Sequence, residues 1–222
     1  MEKIKLSGGK EVLIFDDLVP QSIQEVIENY CFNVIQYHYN LHTVHSELIT
    51  NNHPNIKDSG QFSSLIHRNS LDGGWEHELD FYKIQNSLGT ITFLPLQLFL
   101  YNVNKVFNTK KLIRLKANIT HHVKGFNKED FGFPHIDITD EENSDNVYSM
   151  LYYVNHSDGD TYLFKNDFNQ WENSPEQKPL EIDHVVKYKK GRIVVFPNNI
   201  LHSGSSPIDN KVRCILNYNF II

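Results

Sequence analysis

Beyond residue 110 the chain is cut into short runs: LIRLKANIT (112–120), FPHIDIT (133–139), VYSMLYYV (147–154), TYLF (161–164), 184–188, RIVVF (192–196), 200–204 and VRCILNYNFI (212–221). Each is rich in β-branched and aromatic residues, and clusters of Gly, Pro, Asn and Asp separate them, so the spacing predicts eight strands. The preceding half has a different character. From Pro20, residues Ile23, Val26, Ile27, Tyr30, Val34 and Tyr37 recur every three or four positions, the apolar face of a helix, with Asp17 as a candidate cap. A second apolar segment, 91–107, predicts a helix beginning near Pro95. The stretch 51–75, with NNHPN, DSG and DGG, reads as loop.

Eight short strands after a helical half point to an α+β, mainly β fold: a double-stranded β-helix, or cupin-like jelly-roll barrel, with N-terminal helices buttressing one sheet. The expected organisation is a single domain over 1–222, with 1–110 as helical support and loops and 111–222 as the double-stranded β-helix core. Against 21 basic residues stand 27 acidic ones, a formal charge of -6, which argues against nucleic acid as the main partner. Cys31 and Cys214 form neither a disulfide framework nor a CxxC site. The start MEKIKLSGGKEVLIF lacks a signal peptide's apolar core, and ITFLPLQLFLYNV is too short to span a bilayer, so the expectation is a cytoplasmic protein.

The segment 133–139 places His135 and Asp137 on one face of a strand and isoleucines on the other. A polar stripe turned inward is costly unless it is paired. His-x-Asp/Glu spacing alone means little: with 12 histidines in the sequence, roughly one or two such pairs arise by chance. Three occur, at His45/Glu47, His135/Asp137 and His156/Asp158, and only the second lies on a strand. His202, opening the seventh strand, is placed to join it. Two histidines and a carboxylate on one face of a metal are diagnostic of non-haem Fe(II) oxygenases. Eleven residues on, Arg213 shares a face of the last strand with Ile215, Asn217, Asn219 and Ile221, and Cys214, Leu216, Tyr218 and Phe220 take the other. Alternation does not say which face is inner.

His135-x-Asp137, His202 and Arg213 in this order resemble the Fe(II)- and 2-oxoglutarate-dependent oxygenases. The pattern is closest to the prolyl 4-hydroxylase-like branch. LYYVNHSDGDTYLF, FPNNILHSGSSP and RCILNYNF look like small phage and marine-bacterial members. The resemblance covers about 112–221. It implies a dioxygenase using Fe(II), 2-oxoglutarate and O2 to hydroxylate a substrate, either a protein side chain such as proline or a small metabolite, with release of succinate and CO2. It makes His135, Asp137 and His202 the iron ligands and Arg213 the partner of the cosubstrate's C5 carboxylate. Tyr152 matches a tyrosine sharing that carboxylate, or is a core aromatic. Asn118 and Asn217 are further candidates for the cosubstrate pocket, and Lys165 is a reserve carboxylate partner. Several relatives carry a serine at the position of Ile215, so a second hydrogen bond to the carboxylate has to come from elsewhere. Loops 121–132, 139–146 and 51–75 are the places for substrate specificity. Two alternatives stand beside this reading: a non-catalytic cupin-like binding module, and a zinc hydrolase, since zinc accepts the same ligands. Arg213 has no required part in either.

Overall fold

In the computed structural model, which describes residues 1–41, 54–57, 59–68, 90–103, 111–138, 146–166 and 180–222, the polypeptide opens with a hairpin. Strands β1 (Glu2–Lys5) and β2 (Glu11–Phe15) pair antiparallel around a Ser-Gly-Gly turn in which Gly9 takes φ 79°. Helix α1 (Gln21–Asn33) follows, then β3 (His38–Asn40), β4 (Gln61–Arg68) and helix α2 (Thr90–Val103). The remaining strands are β5 (Lys111–His121), β6 (Val147–Tyr153), β7 (Thr161–Phe164), β8 (Ile182–Val186), β9 (Ile193–Pro197), β10 (His202–Gly204) and β11 (Val212–Ile221).

They form an eight-stranded sheet, in the order β1-β2-β9-β6-β11-β5-β4-β3, and a three-stranded sheet, β10-β7-β8. The expected mainly β jelly roll is observed, with seven of the eight expected strands present. The eighth, 133–139, is reduced to one bridge between His135 and His202. Pro134 has no N–H to give, and beyond the bridge both backbone groups of Ile138 bond to the Asn198 side chain, at 3.1 and 2.7 Å, instead of to a strand.

The N-terminal half is more than helical support. It supplies four strands of the large sheet. QFSSLIHR lies within the stretch expected as loop, yet it pairs with β5 along its length and turns Phe62 and Ile66 toward the core. The turn signals on either side hid it. Helix α1 buries Ile27 and Cys31 but starts after Pro20 without a side-chain cap; Asp17 sits instead at φ 61°. Helix α2 begins five residues before Pro95, which lies inside it.

Alternation on β11 sorts the interior. Cys214, Leu216, Tyr218 and Phe220 pack with Phe93, Leu96, Phe99, Ile27 and Cys31, under the helices. Ile215 faces the other sheet with Leu151, Tyr153, Val194, Phe196 and Leu163. A loop held by one carboxylate leads into β11: Asp158 accepts the backbone N–H of Ile208, Asp209 and Asn210 and the Asn210 amide, at 2.8–3.2 Å. Burial would raise its pKa, but these donors outweigh it and the pKa is lowered. A depressed carboxylate stabilises the fold above its unfolded pKa and loses that contribution as the pH falls through the folded value. Asp158→Ala should therefore cost about 1–2 kcal/mol near neutrality. The gap between variant and wild type should close in acid, which thermal melts across pH would record.

Candidate metal centre and anion pocket

His135 and Asp137 leave the bridge on its inner side, and β10 brings His202 against them. Their ligand atoms lie within 4.8 Å of one another. Each histidine has its Nδ1 on a backbone carbonyl, His135 on Phe133 at 2.8 Å and His202 on Ile200 at 3.0 Å. A carbonyl only accepts, so Nδ1 carries the proton and Nε2 keeps the lone pair a metal needs. Burial and the neighbouring His202 push His135 down to about 4, so its imidazole is neutral near pH 7.

Asp137 is the most elaborately held group in the site. Its side chain is 3% exposed, and it accepts from Arg114 Nη2 (2.9 Å) and Asn217 Nδ2 (2.7 Å) on one oxygen, and from Ser149 Oγ (2.7 Å) and Asn219 Nδ2 (3.2 Å) on the other. Arg114 in turn donates to Asn219 Oδ1 at 2.8 Å. Burial works to raise the pKa of Asp137, but His202, Arg114 and His135 overcome it and hold the carboxyl well below the usual range. Arg114, Ser149 and Asn219 are functional residues the sequence reading missed. The signal was present in LIRLKANIT, where Arg114, Lys116, Asn118 and Thr120 make a polar stripe on the face opposite Leu115, Ala117 and Ile119.

A cavity of about 410 Å³ opens on the triad, and Arg213, Thr161, Asn118, Asn217, Lys116 and Ile215 are among its lining residues. Arg213 is 5% exposed and forms no ion pair among the described residues. Its Nε donates to Gly159 O at 2.8 Å and its Nη2 to Thr161 Oγ1 at 3.0 Å, and its guanidinium carbon lies 6.0 and 5.7 Å from the stacked rings of Tyr153 and Tyr188. A buried arginine without a carboxylate is rare. Thr161 completes the arrangement. Its oxygen accepts from Arg213 and from the Tyr153 hydroxyl (2.7 Å), which uses both lone pairs and leaves its own proton to give. The donor set thus fits a metal at the triad and a carboxylate at the arginine, and the hydrogen bond that Ile215 cannot make is available from Thr161.

The other expectations sort cleanly. Asn118 lines the cavity, with its Oδ1 buried and unpartnered among the described residues; Asn217 also lines it but commits its amide to Asp137. Of the two readings of Tyr152 the structure shows the core aromatic: it pairs with Leu216 on the helix side of the sheet, away from the cavity. The neighbouring Tyr153, on the opposite face, is the tyrosine that reaches Thr161. Lys165 is exposed and paired with Glu181 at 3.0 Å, so it is no reserve partner. The stretch 121–132 is fastened down. Lys57 bonds Gly125 O and Asp130, the Tyr162 hydroxyl bonds Lys128 O, and Phe126 and Phe131 are buried. Residues 139–145 of the 139–146 loop, His45/Glu47 and much of 51–75 lie outside the described residues. No described helix is long and apolar enough to cross a membrane.

In sequence, residues 117–221 match the family described as the 2OG-Fe(II) oxygenase superfamily. No curated protein matches the sequence. In fold it is similar to a prolyl hydroxylase from Trichoplax adhaerens, solved with a hypoxia inducible factor oxygen degradation domain peptide (TM-score 0.56, 14% identity, 95% of this chain and 83% of that one). It is likewise similar to a 2OG-Fe(II) oxygenase family oxidoreductase from Burkholderia pseudomallei (0.55, 12%, 95% and 84%). A third similar fold is the α-ketoglutarate-dependent epimerase of nogalamycin biosynthesis (0.55, 7%, 95% and 78%). The matched segment carries the whole triad and Arg213, and over it the chain is similar to the 2OG-Fe(II) oxygenase superfamily, enzymes that use Fe(II), 2-oxoglutarate and O2.

Proposed function

We propose that this oxygenase hydroxylates a carbon of its substrate, with His135, Asp137 and His202 holding Fe(II) and Arg213 holding the C5 carboxylate of 2-oxoglutarate. The observation that carries the reading is a buried arginine with no acidic partner among the described residues, lining the same cavity as the triad. Fe(II) and the 2-oxo acid, when bound, supply the oxidising chemistry: one atom of O2 enters succinate as C1 leaves as CO2, the other enters a substrate C–H bond, and the 2-oxo acid and that bond each give two electrons.

The protein's own part is geometric and electrostatic. Backbone carbonyls fix the histidine tautomers, four donors fix the carboxylate, and Arg213 with the Thr161 proton holds an anion through charge-assisted bonds. Leu151 and Ile215 give the cavity an apolar patch. Gly204 belongs to this machinery, because a Cβ there would stand 2.9 Å from Arg213 Nη1 and 3.0 Å from its guanidinium carbon. Gly204→Ala should push the pinned guanidinium aside and raise the 2-oxoglutarate requirement by about tenfold. Fe(II) affinity should stay as it was, which a metal titration beside the cosubstrate titration would show.

The reading is tested by incubating the Fe(II)-loaded protein with 2-oxoglutarate under isotopically labelled dioxygen. Succinate carrying one labelled oxygen is the expected product. Consumption of no 2-oxoglutarate, with or without candidate substrates, would leave a binding module in its place.

A further inference from the structure

The cavity holds a third cation for which neither the metal nor the cosubstrate accounts. Lys116 lies on β5 between Arg114 and Asn118 on the same face, with Asn217 directly opposite on β11. It lines the cavity and makes no hydrogen bond or ion pair among the described residues. Arg114 is committed to Asp137 and Asn219, and Arg213 is the cosubstrate's clamp. Burial, followed by the charge of Arg114, works against the ammonium and lowers its pKa. A half-buried cation kept at such a cost is explained by an anion that arrives with a ligand.

Beside it are groups with the opposite need. The Oδ1 atoms of Asn217 and Asn118 are buried and without donors among the described residues. The orientation of Asn217 is fixed, since its Nδ2 faces a carboxylate that can only accept, so its oxygen is the free end. 2-Oxoglutarate carries acceptors alone and satisfies neither oxygen. A ligand that places a carboxylate on the lysine and N–H donors on the adjacent amide oxygens has the head group of an α-amino acid. The cavity, at about 410 Å³, is near the small end of ligand pockets, which run from ~300 to ~1,000 Å³.

We propose that the primary substrate is a free amino acid, its carboxylate held by Lys116 and its ammonium by the side-chain oxygens of Asn217 and Asn118. This rests on the oxygenase reading above for the remainder of the cavity. The hydroxylation itself is unchanged: a C–H bond in the amino acid's side group becomes C–OH with O2 as oxidant and 2-oxoglutarate as co-reductant.

The test uses the twenty free L-amino acids, their carboxamides and their N-acetyl derivatives as probes. Binding is read by saturation-transfer NMR on the anaerobic protein, metal-free and loaded with Fe(II) and 2-oxoglutarate, and succinate release is read in oxygen. At least one free amino acid should bind and accelerate succinate release, and its amide and N-acetyl forms should bind at least about tenfold more weakly. Lys116→Met should weaken the free acid by about ten- to a hundredfold, leave the amide's weak binding as it was, and keep or raise the melting temperature, since it removes an unpaired cation. Acid and amide binding alike, no probe binding at all, or Lys116→Met without effect would each overturn the proposal. So would Lys116→Met weakening 2-oxoglutarate itself by tenfold, which would make the lysine a cosubstrate ligand. Failure of the parent reading shows up separately, as wild-type protein that binds no 2-oxoglutarate, while the acid-against-amide comparison on the metal-free protein still decides the lysine.

Discussion

Alanine at His202 should strip the protein of Fe(II) and abolish oxygen-dependent succinate formation while leaving the fold nearly as stable as before. Changing groups that merely orient a ligand costs about 10–100-fold in metal affinity, so losing one of three ligands should exceed about a hundredfold. Beyond the metal, His202 offers a local Nδ1 bond to Ile200 and ring contacts with His135 and Phe196, a smaller loss than the four hydrogen bonds that Asp137 accepts. Asp137→Ala should lose the metal equally and stability as well. It removes the acceptor of Arg114, Asn217, Ser149 and Asn219 together, stranding a cation that is 21% exposed. Breaking a buried pair in this way costs about 3 kcal/mol, or roughly 6–12 °C in Tm for a protein of this size. Metal titration and thermal melts on the two variants give the comparison. Equal iron affinity in both variants and wild type would remove the triad from the account.

Arg213→Ala should raise the 2-oxoglutarate dissociation constant by about ten- to a hundredfold, the value of a charge-assisted pair, with iron affinity unaffected. Arg213→Lys keeps the charge but loses the planar fork that meets both Gly159 O and Thr161, and should fall between alanine and wild type. Lys165→Ala is the control. That lysine is exposed and bound to Glu181, so its loss should leave the 2-oxoglutarate titration superimposable on wild type.

The parts of this molecule that could be read in advance share a physical cause. On β11 and β5 alternation separates Arg213 and Asn118 from Leu216 and Leu115, and the structure turns the first pair to the cavity and the second under the helices. Where that signal is diluted, the reading fails. Residue types and alternation make 133–139 a strand, but Pro134 and the Asn198 amide divert its backbone bonds. β4 was hidden between turn signals. The hairpin β1–β2 has the pattern of a strand pair, yet it closes the far edge of the sheet, a tertiary choice no local signal records. Tyr152 and Tyr153 differ by one position, and a single register step decides which of them faces the anion site. Residues that serve Asp137 through space, Ser149 and Asn219 among them, become visible only when three strands are side by side.

The central claim is that the triad and Arg213 form one cosubstrate site. Calorimetric titration of 2-oxoglutarate into the anaerobic protein tests it most directly, on wild type with and without Fe(II) and on Arg213→Ala. The account predicts one equivalent bound to the Fe(II)-loaded wild type, weakened by about tenfold or more when either the metal or the arginine is taken away. Tight binding that survives the loss of both, or none to the metal-loaded wild type, would contradict it.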